Sequence, residues 1–302
     1  MVLFILMPAQ AQDEQRVHSI IIRGIDQLYN MEFDQAVSSF DEVIRMAPQD
    51  PRGFFFKSTV DYWIYMLSKE EKAYERFFAL SDTVIDLCEK LLDANEEDWP
   101  AKFYLGGTYG FRGLMHQRNG SIFKAVWDGK KGYNRLEECA LEKPDLVDAQ
   151  MGFGLFTYLV GKIPKSFRWI VNIIGFSGDV DLGLKYLRNA AENGVYTRSE
   201  ATFYLSQFLY QEGNQDDAFS YLDRLLLKHP DNTLFLLTYG SWQSRRDNID
   251  SALVAARKAV EINNRKKVKY GDEIAFNVLA QCYWLKNDFQ SAKQNLELSI
   301  QR

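Results

Sequence analysis

The sequence predicts an all-α solenoid of about seven antiparallel helix pairs. Three observations predict it. A set of small and apolar residues returns at fixed offsets, turn formers fall between them, and no run alternates apolar and polar residues long enough for a strand. Near the N-terminus Gly24 is followed by Ala36, Phe40, Val43 and Pro48, at offsets of 12, 16, 19 and 24. Ser206 is followed by Ala218, Leu222, Leu225 and Pro230 at the same four offsets. Gly240 precedes Ala252, Ala256 and Ala259, and Ala280 precedes Ala292, Leu296 and Ser299, in the same scheme. A small residue on each helix of a pair lets two backbones approach, the later apolar pair faces the next unit, and proline ends the second helix. The turns agree: Asn30-Met31-Glu32, Glu212-Gly213-Asn214, Arg246-Asp247-Asn248 and Lys286-Asn287-Asp288 fall between the paired helices.

Taken in order, the chain starts with an apolar block, Val2 to Met7, then Pro8 and Ala9-Gln10-Ala11, the small-x-small spacing of a signal-peptidase site before Gln12. The expectation is a signal peptide over 1–11, truncated if the true start lies upstream, because the block is short and no basic residue precedes it. Residues 12–302 then form one solenoid domain in the periplasm or outside the cell; the alternative is a frayed apolar end on a cytoplasmic protein. Between the clear repeats the spacing loosens into longer helices. Pro51 to Leu67 pairs with Glu71 to Ala94, Trp99 to Gln117 with Ser121 to Glu142, and Asp145 to Gly161 with Asp179 to Asn193. Gly106, Gly107, Gly110 and Gly113 lack the Lys-Ser/Thr and preceding strand of a phosphate loop, so they read as a close helix contact. Cys88, Cys139 and Cys282 fall on apolar stripes and read as core thiols.

The repeat resembles the tetratricopeptide repeat family, which implies a right-handed superhelix whose first helices line a concave groove. By register, the groove positions of the C-terminal repeats are Phe203, Gln207 and Tyr210, then Leu237, Ser241 and Arg245, then Asn277, Gln281 and Trp284. The family's carboxylate clamp needs Lys, Asn and Arg at such positions; aromatic, amide and small groups here suit an extended peptide or helix held by anchors.

The centre carries a second resemblance. Met151-Gly152-Phe153-Gly154-Leu155-Phe156, Lys162-Ile163-Pro164, Gly175-Phe176-Ser177-Gly178-Asp179 and Gly183-Leu184 resemble the tetratricopeptide repeat protein 39 and inclusion-body-clearance family. That resemblance implies an adaptor, in a family described at mitochondrial outer membranes, lipid droplets or in lipid regulation; the export leader conflicts with those organelles. Residues 162–178 are an insertion between two helices of one repeat. Ile163, Phe167, Ile170, Val171 and Ile174 share a stripe, Trp169, Ile173 and Phe176 widen it, and Lys162, Lys165 and Arg168 gather at its start. Such a short helix packs on neighbouring repeats, lies at a membrane surface or docks a partner. Asp179 is placed to cap the helix that follows.

Composition narrows the function. Thirty-six Lys and Arg against 41 Asp and Glu give a net −5, no field for nucleic acid. Three dispersed histidines and three cysteines do not make a metal site, and no cofactor is expected. No other apolar stretch reaches the length of about 18 residues that spans a bilayer. His229 precedes Pro230 at a helix end, where an imidazolium suits the helix dipole. Glu96-Glu97-Asp98 reads as a solvated helix cap, and Arg265-Lys266-Lys267 with Lys269 as a solvated turn or a contact for an acidic partner. A carboxylate pair of a helical glycosidase is the weaker enzymatic reading. The expected function is therefore a non-catalytic scaffold or adaptor binding a protein or peptide in its groove. The alternative is a binder or carrier of an apolar small molecule or lipid that serves a periplasmic transporter.

Overall fold

A computed structural model describes residues 9–164, 166, 173, 175–266 and 271–301, with only the backbone of 9–11. Its helices are α1 Ala9–Tyr29, α2 Phe33–Met46, α3 Pro51–Ser68, α4 Glu71–Ala94, α5 Trp99–Arg118, α6 Ile122–Glu142 and α7 Val147–Gly161. They continue with α8 Val180–Asn193, α9 Arg198–Gln211, α10 Gln215–Lys228, α11 Thr233–Arg245, α12 Ile249–Lys266, α13 Asp272–Leu285 and α14 Phe289–Ile300. Among the described residues these make seven successive pairs and no strand, an all-α helical-repeat solenoid. Residues 1–8 of the expected leader lie outside the described residues.

Helix starts follow from capping chemistry. Asp50, Asp98, Asp179, Asn232 and Asp288 each accept a backbone N–H at the start of α3, α5, α8, α11 and α14, at 2.9 to 3.1 Å. Asp98 and Asp179 thus act as the caps their positions suggest. The turn inside a pair has a common device: the middle residue of each of the four turns read from sequence sits in the left-handed region, Met31 at φ 60°, Gly213 at 87°, Asp247 at 59° and Asn287 at 62°. The chain reverses there within three residues.

Where glycines recur, helices touch through backbone. A Cβ on Gly132 of α6 would lie 2.7 Å from the Gly110 amide nitrogen of α5, and one on Gly183 of α8 would lie 2.6 Å from the Tyr158 nitrogen of α7. The glycine-rich stretch of α5 is therefore a packing face, as its sequence context indicates.

The superhelix coils until remote repeats meet. Asn232, at the start of α11, donates from Nδ2 to the Tyr29 carbonyl at 2.7 Å, and the Tyr29 ring stacks on Phe235 at 6.2 Å. The Lys266 ammonium donates to the Asn30 carbonyl. Trp63 meets Phe203 edge-on, the Tyr62 and Tyr204 hydroxyls are 3.2 Å apart, and His18 Nδ1 is 2.6 Å from the Tyr196 hydroxyl. One apolar core consequently runs from Val17 in α1 to Trp242 in α11, and a second joins α11, α12 and α13. Cys88, Cys139 and Cys282 are buried free thiols.

Candidate functional site

This closure divides the expected groove. Leu237 is 1% exposed and lies in the second core, and Phe203 is buried between Trp63 and Phe235. Neither lines an open surface, a correction with two causes: Phe203 meets Trp63 of α3, and Leu237 packs into the core shared with α12 and α13. Gln207, Tyr210 and Ser241 are half-buried, with Tyr210 stacked flat on Trp242 at 4.3 Å. Arg245, Asn277, Gln281 and Trp284 stay exposed, Trp284 at 61% and set edge-on against Phe289.

In the insertion, Lys162 pairs with Glu212 at 2.8 Å, and the same carboxylate oxygen accepts from the Tyr158 hydroxyl at 2.7 Å. Ile173 is exposed, whereas Phe176 is half-buried against Tyr133 and the Lys130 ammonium. Lys165, Arg168 and Trp169 lie outside the described residues.

Two further readings change. His229 is fully buried, with Nε2 3.0 Å from Ser199 Oγ and its ring against Tyr29; burial brings its pKa down to about 4, so it is a neutral imidazole rather than a cation on a helix dipole. Arg265 and Lys266 are not merely solvated: both pair with Asp231, and Lys266 reaches the first repeat. Lys267 and Lys269 lie outside the described residues.

At one end of the closed interior lies a recess of about 690 Å³, lined by Glu14, Asp50, Arg52, Asp98, Asp148 and Tyr196 among others. Arg52 holds Glu14 and Asp50 together, and that hydrogen bond keeps the Glu14 carboxyl below its ordinary range. Asp148 Oδ1 accepts three successive backbone N–H groups, of Val195, Tyr196 and Thr197, each at 2.9 Å, and so fixes the loop before α9. Phe103 and Tyr196 line both this recess and an inner cavity of about 40 Å³. That cavity is walled by Tyr29, Phe55, Trp63, Phe111 and other apolar groups, with Glu200 among its lining residues. Glu200 also borders a second cavity of about 40 Å³, between Gly107, Phe111 and Leu155. Burial pushes the Glu200 carboxyl up to about 8.

On the outside, the first two turns of α6 expose an apolar row. Ile122 is 58% exposed, Phe123 94% and Trp127 69%, with the exposed Lys124 between them and the Lys131 ammonium near the Trp127 ring. Beside them opens a cleft of about 560 Å³ lined by Tyr74, Phe78, Arg112, His116, Lys124 and Asp128. Arg112 bonds Asp128 and covers the Phe78 ring, while the Tyr74 hydroxyl meets His116 Nδ1 at 3.1 Å. Burial lowers the His116 pKa, which favours the neutral imidazole beside the charged Arg112 and Asp128.

Neither the α6 row nor Glu200 was singled out from sequence. The row was legible in principle, since Ile122, Phe123, Val126 and Trp127 crowd the start of a helix more densely than a single core-facing stripe requires. Glu200 carried a weaker signal, one acidic residue at i, i+3, i+4 with Phe203 and Tyr204.

Residues 148–301 match the family model described as Iml2/Tetratricopeptide repeat protein 39. Among solved structures, the chain is similar to the Cut9–Hcn1 hetero-tetramer of the APC/C at TM-score 0.54 and 14% identity, covering 89% of this chain and 44% of that one. It is also similar to the human IFIT1 dimer with PPP-AAAA, at TM-score 0.43 and 16% identity over 89% of this chain and 68% of that one. Yeast Tom70 matches at TM-score 0.44 and 12% identity over 90% and 75%. The chain thus spans less than half of the Cut9–Hcn1 match, and identities this low speak to the fold alone. Among the described residues no helix is long and apolar enough to cross a membrane.

Proposed function

The chain belongs to the Iml2/tetratricopeptide repeat protein 39 family, and from that premise we propose that it is a non-catalytic scaffold that docks a protein segment on the outer face of α6. The observation that carries this reading is the row Ile122, Phe123 and Trp127, three large apolar side chains left in water beside a cleft of about 560 Å³. Exposing them costs solvation free energy that a partner recovers, on the order of 25 cal/mol for each Å² covered. Lys124 and Lys131 flank the row, so the complementary segment is apolar with acidic flanks. The exposed remainder of the groove, Arg245, Asn277, Gln281 and Trp284, offers a second, more polar surface.

We place the protein in the cell envelope, on the strength of Ala9-Gln10-Ala11 after an apolar block. Cleavage before Gln12 leaves in place the Glu14–Arg52 pair and the buried Val17 that anchor α1. A second reading, a binder of an apolar small molecule, draws support from the recess of about 690 Å³ at the end of the closed interior.

The test is a crosslinking capture from native envelope with the full chain, a Phe123→Ala/Trp127→Ala variant and a Gln281→Ala/Trp284→Ala variant, each with an unchanged helical spectrum. The proposal expects one protein captured by the wild type, lost by at least tenfold with the α6 variant and kept by the other, on a bait whose mature N-terminus is Gln12. Capture that survives the α6 change, or depends on Trp284 instead, rejects the α6 site; recovery of the native protein outside the envelope fraction rejects the envelope location.

A further inference from the structure

We propose that the inner cavity beside Glu200 is a binding site for a small primary ammonium ion, a short alkylammonium. This inference is independent of the α6 surface and of any protein partner. Its first support is an unanswered group: Glu200 is 7% exposed, and its Oε1 is buried with no hydrogen-bond partner. A buried carboxyl oxygen left so is unfavourable by about 1 to 3 kcal/mol, a penalty that a ligand with N–H donors removes. The second support is what surrounds it. Tyr29, Phe55, Trp63, Phe103 and Phe111 present rings around the same space, and aromatic faces attract cations while offering nothing to an anion.

Among the described residues, no cation acts on Glu200. The titratable groups that face Glu200 are the phenols of Tyr29 from α1, Tyr62 from α3 and Tyr204 from α9 itself. Burial drives all three phenols above their ordinary range, so they remain neutral. With only desolvation acting on it, Glu200 keeps its proton up to about pH 8. An arriving ammonium reverses this: the carboxyl releases its proton to solvent, and the carboxylate takes the N–H and the charge of the ligand. One R–NH3⁺ enters, one H⁺ leaves, and the charge inside is unchanged.

Size and approach agree. A cavity of about 40 Å³ holds two or three non-hydrogen atoms at roughly one probe sphere each. The recess that adjoins it through Phe103 and Tyr196 carries Glu14, Asp50, Asp98 and Asp148 against the single cation Arg52 among its lining residues, which favours entry of cations.

Titration calorimetry of the full chain with ethylammonium chloride tests the proposal, at pH 7 in phosphate and in HEPES, buffers of different ionisation enthalpy and without a primary amine, with sodium chloride as the salt control. The expected result is saturable one-to-one binding that releases close to one proton at pH 7 and almost none at pH 9.5. Glu200→Gln, neutral and nearly isosteric with the protonated acid, binds at least tenfold more weakly, and ethanol does not compete. Absence of saturable binding, binding without proton release, or equal binding by the glutamine variant overturns it. Should the variant not fold, the proton count on the wild type decides alone.

Discussion

At the residue scale, Glu200 and His229 show how burial sets charge. The Glu200 pKa rises from 4.5 to about 8, so between those values the folded state holds a proton that the unfolded chain has released, and stability falls as pH rises. His229 works the other way, lowered from 6.5 to about 4: between those values the unfolded chain binds the extra proton, and stability rises with pH. The two slopes oppose each other in their shared acid range, which leaves the interval from pH 6.5 to 8 to Glu200. Urea unfolding in this window is expected to lose about 1 to 2 kcal/mol, at roughly 1.4 kcal/mol per pH unit, and Glu200→Gln to flatten the loss. An equal slope in the variant would show that Glu200 is not the titrating group. Neither shift was readable from sequence. His229-Pro230 looked like an exposed helix end, because its burial comes from Tyr29, two hundred residues away in the chain.

At the scale of elements, a helix pair needs a tight reversal and a close approach, and the two demands use glycine differently. Asp247 occupies a left-handed turn position at φ 59° and is exposed, so Asp247→Gly removes backbone strain of about 1 kcal/mol without touching the core. Gly183→Ala brings better helix propensity, worth about 1 kcal/mol, yet its methyl would lie 2.6 Å from the Tyr158 nitrogen and 2.8 Å from the Gly154 carbonyl oxygen. Backbone cannot rotate aside as a side chain does. The expected outcome is a rise in melting temperature for Asp247→Gly and a loss of about 1 to 3 kcal/mol for Gly183→Ala. A stabilised Gly183→Ala would mean that α7 and α8 separate readily. Elements were the most legible level: Glu71 to Ala94 emerges with both bounds as read, because caps, small residues and apolar period are local signals.

At the scale of the molecule, the decisive feature is that the stack closes on itself. Asn232 to the Tyr29 carbonyl, Lys266 to the Asn30 carbonyl and Lys228 to Asp26 tie the first pair to the repeats around α10 to α12. An open solenoid carries stability only between neighbours, whereas these ties couple the first pair to repeats far along the chain. Removing the first two with Asn232→Ser/Lys266→Ala, the serine keeping a capping oxygen for α11, is expected to speed amide exchange in α1 and α2 by tenfold or more while leaving α5 and α6 unchanged. Uniform loss of protection in all helices would instead show that the closure is part of one cooperative unit.

The sequence by itself determined the all-α repeat, the order of its helices, its turns, its buried thiols and its family, because each rests on residues a few positions apart. The tertiary structure decided which of the first-helix positions remain surface. Phe203 and Asn277 were equivalent by register, yet the first is core and the second is exposed, since Phe203 meets a partner, Trp63, from a remote repeat. The α6 row became a candidate surface for the same reason in reverse: nothing among the described residues covers Phe123. The curvature that closes the stack is a sum of small rotations at every helix contact, and that sum, rather than any one spacing, determines what faces water.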